Sequence, residues 1–128
     1  MNLEDFCDFL KTLEELKYKS ENGWLILVEG KKDAESLKLL GIGNVFVFSG
    51  LRDVAEKLED KKVIVLTDDD YKGFIIECRL REILYDADFD IKKKLFSKIR
   101  KEVTKVEELY KFVQKYTEEF ERKEFIFE

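Results

Sequence analysis

The stretch Val63-Ile64-Val65-Leu66-Thr67-Asp68-Asp69-Asp70-Tyr71-Lys72-Gly73 is a short apolar run that ends in three consecutive carboxylates, with a glycine shortly after. Its length and β-branched content predict a buried strand, so the acids stand at the strand's carboxyl end. Upstream, Trp24-Leu25-Ile26-Leu27-Val28 runs in the same manner into Glu29-Gly30 and a charged, helix-like segment. Short apolar strands separated by helical patterns predict an α/β domain. Its sheet is expected to be mostly parallel, of about four strands, with helices on both faces. Ligands of such sheets bind outside the carboxyl ends of the strands, which places Glu29 and the aspartates at one crevice.

The remaining chain supplies the alternation. Leu3, Phe6, Leu10 and Leu13 recur at helical spacing and predict an opening helix over 3–19, ending before Ser20-Glu21-Asn22-Gly23. Asp33 can cap a helix that runs to Leu40 and stops at Gly41-Ile42-Gly43. Asn44 to Phe48 reads as the second strand, and a helix follows near Leu51 to Leu58. After Gly73, the spacing of Phe74, Ile75, Ile76, Cys78, Leu80, Ile83 and Leu84 predicts a helix whose N-terminus adjoins the acids. Asp86 to Ile91 is read as a short fourth strand, and the apolar pattern from Phe96 to Tyr116 predicts closing helices within 92–121. Glu124-Phe125-Ile126-Phe127-Glu128 is open between an extra strand and a docking tail. No Pro-rich or Ser-rich linker divides the chain, so 1–128 is expected to be a single domain.

Asp68 and Asp70, two apart on a turn leaving a strand, can face one ion while Asp69 points elsewhere. An oxygen-only donor set in a chain without histidine suits Mg²⁺ or Mn²⁺ rather than zinc. The plain alternative is a solvated turn, yet three adjacent acids repel one another, and a bare turn has no reason to carry that cost.

On Leu27-Val28-Glu29-Gly30-Lys31-Lys32-Asp33 and Thr67-Asp68-Asp69-Asp70-Tyr71-Lys72-Gly73, the chain resembles the Toprim domains of topoisomerases, bacterial primases, OLD-type nucleases, RecR and a ribosomal-RNA maturation ribonuclease. It is most similar to the small stand-alone Toprim proteins of archaea, with a motif core at 24–85. The resemblance implies a Rossmann-like, Toprim-type sheet and phosphodiester or nucleotidyl-transfer chemistry on DNA or RNA. It also implies Glu29 as general acid or base and metal neighbour, and Asp68 and Asp70 as ligands of one or two Mg²⁺ ions. Asp69 stands where many relatives carry proline. Tyr71 and Lys72 replace the arginine-glutamate pair common in type IA topoisomerases, and no catalytic tyrosine is inherited because it belongs to another domain. A second reading is a non-catalytic Toprim module that binds a partner protein or nucleic acid in a repair or RNA-processing complex. A receiver-type phospho-acceptor site needs its acidic pair after the first strand, the reverse of the order here, and a haloacid-dehalogenase-type Asp-x-Asp belongs there too.

A net charge of −5 opposes the counterion release that supplies most non-specific affinity for nucleic acid. Lys92, Lys93, Lys94, Lys98, Arg100 and Lys101 form the densest cationic stretch, read as a solvated helix face with phosphate contact as the alternative. Arg52, Arg79 and Arg81 are open between phosphate contacts and surface ion pairs. Cys7 and Cys78 make no disulfide framework and are read as small apolar residues of helices. With no apolar run near a membrane span's length and an acidic start, a cytoplasmic protein is expected.

Overall fold

The computed structural model describes the backbone of residues 1–127 and the side chains of residues 1–123. Its elements are α1 (Leu3–Glu21), β1 (Leu25–Val28), α2 (Lys31–Leu39), β2 (Val45–Val47), α3 (Leu51–Lys57) and β3 (Val63–Val65), then α4 (Tyr71–Ile83), α5 (Asp90–Ser97), a 3-10 turn (Val106–Glu108) and α6 (Leu109–Phe127). The three strands form one parallel sheet in the order β2-β1-β3, with Ile26 level with Val45 on one side and Ile64 on the other. Leu27 is level with Val65, so continuing that register by two residues sets Glu29 beside Thr67 and next to Asp68.

Both faces of the sheet are covered, which explains why its strands read as continuous apolar runs. Ile26, Val28, Ile64 and Leu66 pack against α1, α2, α5 and α6. Leu27, Val63 and Val65 meet Val54 of α3 and Leu80 of α4 on the other face. The stripe that α1 buries is Phe6, Phe9, Leu13 and Leu16, one turn further along than expected, and Leu3 is left exposed. The shift aims two phenylalanines at α6, where Phe9 meets Phe112 edge-on at 5.3 Å between ring centroids. Gly41, at φ +83, takes the left-handed conformation that ends α2, as Gly41-Ile42-Gly43 predicted.

Two expectations are corrected. The fourth strand is reduced to a single parallel bridge between Ile64 and Asp88. Asp88 donates its N–H to Val63 and accepts from Val65, but its carboxylate accepts the N–H groups of Asp90 and Ile91. That side chain turns the backbone into α5 after one residue of pairing, so the sheet holds three strands. Residues 124–127 continue α6 as helix rather than forming an extra strand, and Glu128 lies outside the described residues. Among the described residues, no helix is long and apolar enough to cross a membrane.

Candidate functional site

Glu29 and Asp68 lie 39 residues apart in sequence and meet directly, the Asp68 N–H donating to Glu29 Oε2 at 2.7 Å. This bond follows from the sheet: β1 and β3 are parallel neighbours, and the first free backbone N–H groups beyond β3 face the end of β1. Asp68 then turns its own carboxylate to the C-terminal half of the chain, where Oδ1 accepts the Val106 N–H at 2.8 Å. The Asp69 N–H donates to the Thr104 carbonyl at 2.7 Å, so the segment before the 3-10 turn is pinned across the strand end by two bonds. Asp69 points away from Glu29 and pairs with Arg100 at 3.3 Å.

Asp70 is the N-cap of α4, its Oδ1 accepting the Gly73 N–H at 2.7 Å, and the helix therefore starts at Tyr71, two residues before Gly73. Behind the cap runs a buried polar chain. Lys92 Nζ donates to Thr67 Oγ1 at 2.9 Å, and the Thr67 hydroxyl donates to the Gly73 carbonyl at 3.0 Å. Lys92 also pairs with the buried Glu77 at 3.3 Å, and Arg81 approaches Glu77 at 3.6 Å. Lys92 is thus an interior cation rather than part of a solvated face, because α5 packs it against the end of β3.

Asp33 was expected to cap α2, but Gly30 is the N-cap and Asp33, in the first turn, accepts the Gly30 N–H at Oδ2, 3.0 Å away. It is buried. Burial first, opposed by the Gly30 N–H, and then repulsion from Glu29 and Glu107 push its carboxyl above the ordinary range. Asp68 is raised to about 6 by burial, against the lowering effect of the Val106 N–H, with Asp33, Glu29 and Asp70 adding like-charge repulsion. Four acids from both motifs therefore share one electrostatic neighbourhood. Asp33 belongs to it as much as the predicted Glu29, Asp68 and Asp70. Its place four residues after Glu29, one helical turn beyond the strand end, is the signal that could have found it.

Each predicted ligand commits one oxygen to a backbone N–H: Glu29 Oε2 to Asp68, Asp68 Oδ1 to Val106 and Asp70 Oδ1 to Gly73. The second oxygens accept no hydrogen bond from the described residues, although Lys105 Nζ stands 3.9 Å from Asp70 Oδ2. By donor chemistry the set fits a hard divalent cation. Its geometry is not preset for one, since no group of three or more acidic or cysteine side chains among the described residues is drawn together closely enough to hold a metal.

The other candidates divide. Arg52 pairs with Glu56 at 3.5 Å on an exposed surface, and Arg79 is exposed on α4. In the cationic stretch, Lys94 pairs with Glu15 and Lys98 with Asp5, fastening α5 to α1, while Arg100 turns to Asp69. Cys7 and Cys78 lie on helices as expected, but exposed rather than packed. Arg100, Thr104, Lys105 and Val106 at the site had no sequence signal, because they arrive through tertiary packing.

No protein-family model matches the chain. A protein of Aquifex aeolicus shares the architecture at a TM-score of 0.66 with 32% sequence identity, covering 84% of this chain and 97% of that one. A UPF0292 protein of Methanocaldococcus jannaschii is 32% identical over 124 residues, covering 88% of this chain and 94% of the relative. One from Methanosarcina acetivorans is 39% identical over 114 residues, covering 80% and 78%. A UPF0292 protein of Archaeoglobus fulgidus is 48% identical over 118 residues, covering 88% of this chain and 95% of its own, and with that identity across nearly the full length of both, the chain belongs to the UPF0292 protein family.

Proposed function

We propose that this protein is a Toprim-type, Mg²⁺-binding protein that acts in phosphodiester or nucleotidyl-transfer chemistry on nucleic acid. The observation that carries the reading is the 2.7 Å bond from the Asp68 N–H to Glu29, which joins the two acidic motifs at one sheet edge. A buried carboxylate raised to about 6 by burial and neighbouring acids is a group that a cation would relieve. Glu29, Asp68 and Asp70 are the residues that would hold the ion, through the oxygens their backbone bonds leave free. One or two Mg²⁺ ions, or Mn²⁺, would supply neutralisation of phosphate charge.

The chain's own residues do the rest. Glu29, fixed at Oε2 by Asp68, presents Oε1 to accept a proton from water or a ribose hydroxyl and to return it to the leaving oxygen. The N-terminus of α4, thirteen residues long and beginning beside Asp70, turns its positive end toward an incoming phosphate. Lys105 and Arg100 set two cations at the rim, offsetting Asp70 and Asp69.

Calorimetric titration with Mg²⁺ and Mn²⁺, on the wild type and an Asp68→Asn/Asp70→Asn variant, tests the reading when paired with incubation of labelled DNA and RNA. Metal binding and cleavage lost together in the variant are the expected result. Wild type that binds no divalent metal sinks the proposal. A second reading, a non-catalytic module that binds a partner protein or nucleic acid, draws on the net charge of −5. It predicts metal binding without turnover by the isolated chain.

A further inference from the structure

Beside the acids lies a groove of about 540 Å³ between α4 and α5, lined by Asp69, Asp70, Phe74, Arg81, Lys93 and Arg100 among others. Phe74 is 55% exposed, and Tyr71, one turn earlier on α4, is 80% exposed. Residues three apart on a helix are neighbours, so exposed Tyr71, beside Asp70 at the start of α4, lies next in position to Phe74, which lines the groove. Neither ring contributes to either core cluster. Four basic side chains line the groove against three acidic ones, in a chain whose total is −5. All three acids are already paired, Glu77 with Lys92 and Arg81, Asp69 with Arg100 and Asp70 with Lys105, and Lys93 is exposed with no ion pair among the described residues.

We infer that this groove binds single-stranded nucleic acid, with Phe74 and Tyr71 stacking against bases and Lys93, Arg81 and Arg100 receiving the phosphates. Exposed aromatics flanked by cations match the chemistry of an unpaired strand, whose bases offer free π-faces beside a regular anionic backbone. A duplex keeps its base faces stacked internally and would leave both rings without a partner. Arg81 already sits over Phe89, 4.2 Å from the ring centroid, and 3.6 Å from Glu77, so its guanidinium is placed before any ligand arrives. The inference deepens the phosphodiester reading by naming the strand form, and it rests on that reading only for why a polyanion comes to this edge.

Fluorescence anisotropy on the full chain, in EDTA so that no strand is cut, tests it. The probes are oligothymidylate and oligouridylate of about 12 nucleotides, a length within ordinary site sizes, and a duplex of equal length. Single strands are expected to bind more tightly than the duplex, and the two oligonucleotides separate DNA from RNA preference. Phe74→Ala should weaken single-strand binding by about 10-fold, a stacking-sized loss. Lys93→Ala should lower the salt slope by about 1. Leu39→Ala, an equally exposed apolar residue on α2, should leave binding unchanged. No binding to any probe, equal affinity for duplex and single strand, or a Phe74→Ala affinity within about twofold of wild type overturns the inference. Loss of strand binding with metal binding intact defeats this inference alone, and the converse defeats the metal reading alone.

Discussion

Replacing Gly73 with alanine pits two physical effects of opposite sign. Gly73 is the third residue of α4, and an alanine inside a helix ordinarily stabilises by about 0.5–1 kcal/mol relative to glycine. Here a Cβ would lie 2.0 Å from the Asp68 carbonyl oxygen, 2.9 Å from its carbon and 3.0 Å from its nitrogen. Ordinary contact begins at 3.4 Å, so the helix start would have to retreat by 1.4 Å (3.4 minus 2.0). All three atoms are backbone, and neither side yields freely. The Asp70 cap holds the Gly73 N–H, the Thr67 hydroxyl holds its carbonyl, and Asp68 is tied to Glu29. Overpacking at about 1–3 kcal/mol and a loosened cap at about 1 kcal/mol outweigh the propensity gain, for a net destabilisation of about 2 kcal/mol. Urea unfolding followed by far-UV circular dichroism reads this as a lower midpoint at unchanged slope. Gly43→Ala is the control, with nothing within 4 Å of its Cβ, and should fall within about 1 kcal/mol of wild type. A Gly73→Ala protein as stable as wild type, or more so, refutes the steric account.

Two further predictions concern charge. Burial pushes the Asp68 carboxyl up to about 6, above the ordinary aspartate value of 3.8, so the folded state holds this proton more tightly than the unfolded chain does. Its contribution to metal-free stability is full below about pH 4 and is lost as pH rises to about 6. Relative to wild type, Asp68→Asn should therefore gain roughly 2 kcal/mol between pH 4 and pH 7 in EDTA, after discounting for partial solvent screening; a difference that stays flat across that window rejects this origin. Lys92→Met would leave Glu77 buried with only Arg81 nearby and should destabilise by about 3 kcal/mol, while Glu77→Leu/Lys92→Met should recover most of the loss. If the double variant is no better than the single one, the cost lies in packing rather than in an unpaired charge.

The strands at this edge were legible because burial on both faces writes itself as continuous apolar runs, and the meeting of Glu29 with Asp68 follows from setting both acids at the ends of neighbouring parallel strands. Val63 to Val65 and Leu25 to Val28 needed only the length and β-branched content of those runs to be found. The fourth strand failed for a local reason, since the Asp88 carboxylate competes for the N–H groups that would have continued the turn into a ladder. Gly30 holds the cap position at the start of α2 that Asp33 was expected to take, because a glycine in extended backbone can sit there while the acid reaches back from the first turn. Lys92 was invisible as an interior residue, because three consecutive lysines carry no sign of which one a neighbouring strand will bury. The Thr104 to Val106 segment was beyond sequence reasoning altogether. Its bonds to Asp69 and Asp68 depend on where two helices deliver a loop.

The acids also explain how such a site can exist before any ligand arrives. Like charges in one neighbourhood cost stability, yet each acid here performs a structural task with half of its carboxylate. Glu29 ties β1 to the end of β3, Asp68 anchors the approach to the 3-10 turn, Asp70 starts α4 and Asp33 closes the turn at Gly30. At Asp68 and Asp33 the bond from a backbone N–H favours the ionised form and partly offsets the repulsion. Replacing an acid with its amide keeps an acceptor oxygen for the scaffold while removing the charge, whereas replacing it with alanine removes both. The two substitutions at Asp70 should therefore separate the roles. Asp70→Asn keeps the α4 cap and loses affinity for a cation, while Asp70→Ala loses the cap as well, at about 1 kcal/mol in urea unfolding. Equal stability of the two variants would mean that the cap contributes nothing, and the site would then have to be read as acids held together by their surroundings rather than by their own bonds.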